Sequence, residues 1–447
     1  MAMRLRLPSS SARPLLHKLI AAGLNAADPY HALLKHVALD RRSLRVGRRA
    51  YNLSHIDRII VVGAGKASAR MAQALETALG TQLEEGLVIV KTGHTLTTKR
   101  IAVLEAGHPI PDRAGLHATQ RLLHLTQGLT PRDLLIVLLS GGASSLLPAP
   151  VAGVTLADKQ RTTRLLLRSG ATINEMNVVR KHLSLIKGGG LAASTQAKIA
   201  TLLLSDVIGD DLGSIGSGPT AADPSTFADA VDVLQRYRSW RAVPEAVRRY
   251  LDRGRKGEAS ETLKPGSRRL RSVQHHIIGN NRIMLEAVVR AAQQADLHTQ
   301  FVSHPITGEA RVAAQQLTDL AKAIAEGHGI LKRPCCVVAG GETTVTVTGR
   351  GRGGRAQEFA VSAALEIAGL PNTWVVALGT DGTDGPTDAA GAIVTGDTVA
   401  RAKKLGIDLQ SSLNRHDTYP ALKALGGHIH TGPTGTNVND LYLLLLL

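Results

Sequence analysis

The sequence predicts a two-domain α/β protein: an N-terminal Rossmann-like parallel sheet, then a C-terminal α/β domain on a mixed sheet, with a cleft between them. Three observations predict it. Short apolar runs alternate with stretches of helical period, the pattern of parallel strands joined by crossover helices. The chain has 447 residues, and at roughly 100–200 residues per domain that favours two or three domains over one. Its 45 glycines run above the average share and gather just after apolar runs, where backbone approaches a ligand closely.

The strand candidates of the first half are IDRIIVVGAG (56–65), EGLVIVKTG (85–93), IAVLEAG (101–107), LLIVLLSGG (134–142) and AKIATLLLSD (197–206). After the first, Ala67, Met71, Ala74 and Ala78 recur at three- and four-residue spacing, which predicts a helix over 67–79 with one buried stripe. Met176, Val179, Leu183 and Ile186 predict another, interrupted by the glycines at 188–190. The basic stretch 236–271, with Pro244, Gly254, Gly257, Pro265 and Gly266, reads as a linker. The expected domains are therefore residues 1–270 and 271–447. The second series runs HHIIGN (275–280), FVS (301–303), PCCVVAGG (334–341), TTVTVTG (343–349), WVVALGTDG (374–382) and the C-terminal leucine run. The clean alternation of TTVTVTG predicts an antiparallel member.

Composition narrows the class. Apolar residues make up 43% and charged residues 20%, as in a globular enzyme. Aromatics at 2% argue against a grip on single-stranded nucleic acid, which wants stacking platforms. The net charge of +17 is concentrated: residues 1–58 carry 11 Lys/Arg against 3 Asp/Glu, and residues 236–271 carry 12 against 4. Two solvated basic segments are the plain reading, with steering of an anionic ligand or contact with a polyanion as the alternative. Cys335 and Cys336 are the only cysteines, so neither a disulfide framework nor a four-ligand zinc site is available, and a reducing, cytoplasmic setting is expected. No apolar run approaches membrane-spanning length and no apolar signal-peptide core is apparent, so no membrane association is expected.

Several turns carry candidate chemistry. In VVGAGKASARM (61–71), Gly63 and Gly65 turn the chain from strand to helix, Lys66 places a cation at the helix mouth and Ser68 a hydroxyl. The loop lacks Walker spacing, and as a dinucleotide fingerprint it is incomplete, since Ser68 replaces the third glycine and Lys91 ends the next strand where an NAD site wants an acid. LLSGGASSLLPAP (138–150) repeats the theme with Ser140, Gly141, Gly142, Ser144 and Ser145, an oxyanion cradle or a capped turn. LLLSDVIGDDLGSIGSGPT (202–220) places Asp206 and Asp210 where Mg²⁺ would find carboxylates, or where aspartates cap and turn. GGETTVTVTGRGRGGRAQEF (340–359) interleaves Arg350, Arg352 and Arg355 with glycines ahead of a helix, a phosphate clamp by geometry. LGTDGTDGPTDAAGAIV (378–394) offers Asp381, Asp384 and Asp388 as metal- or hydroxyl-binding groups. His108 in GHPIPD and Asp440 in TGPTGTNVNDL read as structural. No HExxH pattern and no G-x-S-x-G elbow is present, which leaves zinc-protease and serine-hydrolase chemistry without support. Two cradles, a lysine, an arginine loop and acidic loops together point to phosphoryl transfer, which asks for positioning, cations and a carboxylate-held Mg²⁺.

These segments, with NVVRKHLSLIKGGGLA (177–192) and TGPTGTNVNDLYLLL (431–445), resemble in order the glycerate 2-kinase family, whose C-terminal part is the MOFRL domain and whose members are often labelled hydroxypyruvate reductases. The resemblance implies ATP- and Mg²⁺-dependent phosphorylation of D-glycerate at its 2-hydroxyl to give 2-phosphoglycerate. It places the essential lysine and arginine at Lys66 and Arg355. On this reading Asp381 joins them as catalytic. Gly63, Gly65, Ser68, Ser140, Gly141, Gly142, Ser144, Ser145, Arg180, Lys187, Arg352 and Glu342 are expected to bind substrate or ATP, and Asp206, Asp210 and Asp384 the metal. The expected partners are D-glycerate and ATP, not nucleic acid or membrane, with a homodimer as a possible assembly. The competing reading is an NAD(P)H-dependent hydroxypyruvate reductase, for which Gly63, Gly65 and Lys91 speak.

Overall fold

The computed structural model describes residues 5–328 and 331–447; the first four residues of the basic segment 1–58 lie outside the described residues. The chain opens with helices α1 (Arg13–Ala26) and α2 (Pro29–His36) and the small strands β1 (Val37–Leu39), β2 (Ser43–Val46) and β3 (Arg49–Asn52). Next come β4 (Ile59–Ala64), α3 (Ser68–Leu79), β5 (Glu85–Lys91), β6 (Ile101–Ala106), α4 (Arg113–Thr126), β7 (Leu134–Leu139) and α5 (Ala143–Leu146). Helices α6 (Leu156–Arg168), α7 (Ile173–His182) and α8 (Gly190–Ala193) lead to β8 (Lys198–Leu204), followed by α9 (Phe227–Arg236), α10 (Glu245–Arg255) and β9 (Val273–Gly279). The remainder comprises α11 (Asn281–Gln293), β10 (His298–Phe301), β11 (Ile306–Glu309), α12 (Ala310–Ala325), β12 (Cys335–Thr344), α13 (Arg355–Glu366), β13 (Thr373–Gly379) and β14 (Gly391–Thr395). It closes with α14 (Thr398–Lys404), α15 (Leu409–Asn414), α16 (Thr418–Ala424), β15 (His428–Ile429) and β16 (Asp440–Leu446).

The chain divides into two compact units, residues 29–278 and residues 1–28 with 279–447. The division thus falls at 278/279 where 270/271 was expected, and the first 28 residues group with the C-terminal part. The reason is packing: α1 lies against α11, where a Cβ on Gly23 would come within 2.8 Å of Val288 Cγ2.

Unit 29–278 holds a six-stranded sheet in the order β6-β5-β4-β7-β8-β9, in which the pairings from β6 through β8 are parallel. Strand order reverses between β4 and β7, so the C-terminal ends of those strands form the topological switch point where doubly wound sheets bind ligands. Both strands are buried on each face, as their unbroken apolar runs require. Helix α3 starts one residue inside the predicted 67–79 and buries Met71, Ala74 and Leu75.

The expected linker 236–271 is instead structured. Helix α10 buries Val247 and Leu251 in one cluster with Phe227 and Leu234 of α9 and Met176 and Val179 of α7. Its Gly254 lies so close to the Phe227 ring that a Cβ there would sit 2.3 Å from ring carbons. The arginines coat the outer face of an amphipathic helix, and their density masked an apolar stripe at helical spacing.

The other unit holds a mixed sheet in the order β10-β12-β16-β13-β14-β15, with β11 also pairing with β12. The leucine run is β16, buried throughout and antiparallel to both β12 and β13, with Leu443 opposite Val338 on one side and Val376 on the other. The expected split of 334–349 into two strands does not occur. One strand, β12, runs Cys335–Thr344 and the chain then leaves the sheet, so the alternation of 345–348 is not strand pairing. The Thr346 hydroxyl there bonds Glu309, and the Thr348 hydroxyl pairs with the His416 ring.

Candidate functional site

In unit 29–278 the turns after β4 and β7 lock together at the switch point. The Lys66 N–H donates to the Gly141 carbonyl at 2.9 Å, the Ala67 N–H to Ser140 Oγ at 3.0 Å, and the Ser140 N–H to the Ala64 carbonyl at 3.1 Å. Gly65 has φ +138°, and a Cβ there would lie 2.1 Å from Ser140 Oγ. Gly63 abuts the Leu138 carbonyl in the same way, and the Ser68 hydroxyl, fully buried, donates to that carbonyl at 3.3 Å. Ser68 and Ser140, expected to bind ligand, are therefore spent on docking one turn to the other: Ser140 supplies the cap that α3 lacks in its own sequence.

What this docking presents is Lys66, Gly141 and Gly142. The Lys66 Cγ and the His108 ring both face Gly142, at 3.6 Å and 3.0 Å from where a Cβ would stand. Burial, then Lys66, Lys91 and His94, push the His108 imidazole down to about 4, so it is neutral near pH 7. On the other side, a Cβ at Gly141 would lie 2.1 Å from Asp206 Oδ2: the missing side chain is the space the carboxylate occupies. Asp210 follows in the same loop in a left-handed conformation, φ 55°.

Next to this cradle runs a polar chain. Lys187 Nζ donates to Ser144 Oγ at 2.9 Å and to the Ser144 carbonyl; Ser144 Oγ meets Ser217 Oγ at 2.8 Å, and Ser217 donates to Asn177 Oδ1 at 3.1 Å. Ser145 closes its own turn on the Gly142 carbonyl at 3.0 Å. Lys187 is 3% exposed.

In the other unit Arg355 opens α13 and makes a bidentate pair with Asp440, Nε to Oδ2 at 2.8 Å and Nη2 to Oδ1 at 2.9 Å, while Nη1 donates to Glu342 Oε1 at 2.6 Å. Burial opposes the charged guanidinium, but the two carboxylates outweigh it and raise its pKa. Burial pushes Asp440 up to about 7 against the pull of Arg355. Tyr442 donates to Asp440 Oδ2 at 3.0 Å and shares a hydrogen bond with Thr343, so Asp440 is held from two sides. Asp381 accepts from the Thr383 N–H at 3.1 Å, which fixes its turn.

Three of the expected binding groups are engaged within the fold. Asp384 is not placed as a metal ligand: it is buried, Oδ1 accepts the Ala356 N–H at 3.0 Å, and Oδ2 accepts the Gln357 N–H at 2.9 Å and its side-chain amide at 3.0 Å. It caps α13 from a distant loop. Arg352 stacks its guanidinium 4.3 Å from the Tyr419 ring centroid, and its N–H donates to Asp417, so it pins the arginine loop. Glu342 engages Arg355. Among the described residues no group of three His, Cys, Asp or Glu gathers to hold a metal. A magnesium ion held by one or two carboxylates and substrate phosphates still fits, since Asp206 fills the space beside the Gly141 cradle.

Residues 335–440 match the MOFRL family, and residues 15–252 match a domain family of unknown function, DUF4147. The glycerate 2-kinase of Pyrococcus horikoshii is 41% identical over 96% of this chain and 96% of that protein. Human glycerate kinase is 36% identical over 96% of this chain and 92% of its own. The crystal structure of a Thermotoga maritima glycerate kinase superimposes with a TM-score of 0.87 at 38% identity, covering 98% of this chain and all of that one. The chain belongs to the glycerate kinase family.

Within this glycerate kinase family member, the fold gathers Gly63, Gly65, Lys66, Ser68, Ser140, Gly141, Gly142 and Asp206 at one switch point, and Arg355 with Glu342 at the head of α13. Sequence reasoning missed Asp440 as the partner of Arg355, His108 beside Lys66, and Lys159 beside Arg180 and Lys187. Asp440 carried a usable signal, an acid immediately before an all-apolar strand, which in a sheet this buried demands a cation. Lys159 carried none, being one of several basic residues on α6.

Proposed function

We propose that this family member is a D-glycerate 2-kinase that transfers the γ-phosphoryl group of ATP to the 2-hydroxyl of D-glycerate, giving 2-phosphoglycerate and ADP. The observation that carries the proposal is the half-buried Lys66–Gly141–Gly142 cradle at the switch point with Asp206 beside it, in a chain similar over nearly its whole length to named glycerate kinases. The hydroxyl oxygen attacks the γ-phosphorus, the bond to the β,γ-bridging oxygen breaks, and the hydroxyl proton leaves to solvent water. Lys66 offsets phosphoryl charge at the cradle, and Gly141 and Gly142 admit oxyanions to the backbone. Arg355, aimed by Asp440, contributes fixed positive charge for phosphate oxygens, which preorganised cations stabilise most as charge develops. Magnesium, held by Asp206 with Asp210, would supply further charge neutralisation on the phosphates. The two buried free cysteines fit a reducing compartment, and no helix among the described residues is long and apolar enough to cross a membrane.

Separate Lys66→Ala and Arg355→Ala variants test this. Each is expected to lose about 10²- to 10⁴-fold in turnover with ATP, Mg²⁺ and D-glycerate while its melting temperature stays near that of the parent. Near-normal turnover in both variants would remove the assignment. NADPH with hydroxypyruvate is the parallel arm, in which no oxidation of NADPH is expected.

A further inference from the structure

Three cations lie close together beside the serine turn after β7 and have no counter-charge. Lys159 Nζ donates to the Leu183 carbonyl at 2.8 Å; Leu183 stands three residues beyond Arg180 and four before Lys187. Lys187 Nζ lies on Ser144. The charged groups that act on these side chains are one another: Arg180 on Lys159, and both Lys159 and Arg180 on Lys187, with no carboxylate acting on any of the three among the described residues. The neighbouring Lys181 shows the contrast, since it pairs with Asp223 at 3.3 Å. A buried charge is expensive unless it is paired. Three such groups in one place repel one another and favour the loss of a proton, and an incoming anion would favour their charged forms instead.

We propose that Lys159, Arg180 and Lys187 form a buried oxyanion site that receives a carboxylate or phosphate group of a substrate. The donor count agrees. The guanidinium of Arg180 brings five N–H groups, none bonded among the described residues, in a fork that matches two oxyanion oxygens, and Lys159 and Lys187 each keep N–H capacity beyond the bonds named. Arg180 and Lys159 are half-buried and keep some solvent contact, while Lys187 is buried. Burial, then Arg180, push Lys159 down to about 7, and burial lowers Arg180 and Lys187 as well, the direction expected of cations waiting for an anion. The site rests on the kinase reading only for the identity of its ligands: the carboxylate of D-glycerate and the phosphates of ATP present the same chemistry.

Calorimetric titration of the full chain with D-glycerate, inorganic phosphate and AMP-PNP–Mg²⁺ tests the site, comparing the parent with Arg180→Met, Arg180→Lys and Lys159→Met. Affinity for at least one of the three is expected to fall about 10- to 100-fold in Arg180→Met and Lys159→Met, with partial recovery in Arg180→Lys. Loss confined to D-glycerate assigns the site to the carboxylate, and loss confined to AMP-PNP to the nucleotide. Apo Arg180→Met is expected to melt at or above the parent, because it sheds an uncompensated cation. Unchanged affinities for all three, no binding of any of them by the parent, or failure of Arg180→Met to fold would overturn the proposal. Since binding is read without turnover, a parent that phosphorylates glycerate while the variants bind normally sinks the site and leaves the kinase standing. The converse result sinks the kinase alone.

Discussion

At the scale of single residues, the Arg355–Asp440 pair carries the clearest consequence. Asp440 is fully buried, so its ionisation depends almost wholly on the guanidinium beside it. Burial lifts its pKa to about 7. Below that value the carboxyl is protonated, attracts Arg355 less and holds it less firmly; above it the charged pair is complete. Turnover is therefore expected to fall on the acid side of about pH 7 and to level off above it. In Asp440→Asn, which stays neutral throughout, that limb should vanish and turnover at pH 8 should drop about 10- to 100-fold, roughly 1.4–2.7 kcal/mol of barrier. The kcat profile of both proteins between pH 6 and 9 checks this, and a parent-like limb in the variant would locate the titration elsewhere. Sequence reasoning proposed Arg355 as the functional arginine and read Asp440 as structural; the structure pairs the two. Nothing in a linear string says that residues 85 apart exchange two hydrogen bonds.

At the scale of elements, α13 shows how a functional side chain is aimed. The helix begins at Arg355 without a cap from its own sequence, because Gly354 has no side chain to offer, and Asp384 fills that role from the loop after β13. A carboxylate at a helix N-terminus satisfies orphan N–H groups and complements the dipole. Asp384→Ala would leave buried donors unpaired, at a cost of about 2–3 kcal/mol, because the usual cap loss adds to the penalty of unsatisfied groups. Chemical denaturation should register that loss, and the released Arg355 should lower turnover as well; Asp384→Asn, which keeps acceptor capacity, should recover part of both. The cap was illegible beforehand because aspartates in a glycine-rich loop look alike as ligands and as caps. Helix α10 went unrecognised for a different reason. Its apolar positions, Val247 and Leu251, are outnumbered by arginine, and breakers flank it on both sides.

At the scale of the whole molecule, the net charge of +17 meets substrates that are all anions. Long-range steering of that kind is screened within about 10 Å at 0.1 M salt, whereas buried charges are screened much less. Raising ionic strength is thus expected to lower kcat/KM for D-glycerate several-fold while leaving the melting temperature nearly constant; a flat salt response would make the basic segments mere solubilising surface. The alternation of apolar runs with helical periods determined the two α/β units, their main strands, and the glycine turns after β4 and β7, since burial on both faces and tight turns each impose a residue type that can be read locally. Tertiary structure alone decided which polar groups serve the turns and which serve a ligand. Ser68, Ser140 and Asp384 went to internal hydrogen bonds. Lys159, Arg180 and Lys187 were left without a counter-charge. That sorting depends on who stands next to whom across the fold, and a hydrogen bond or an unpaired charge is a property of neighbours, not of sequence position.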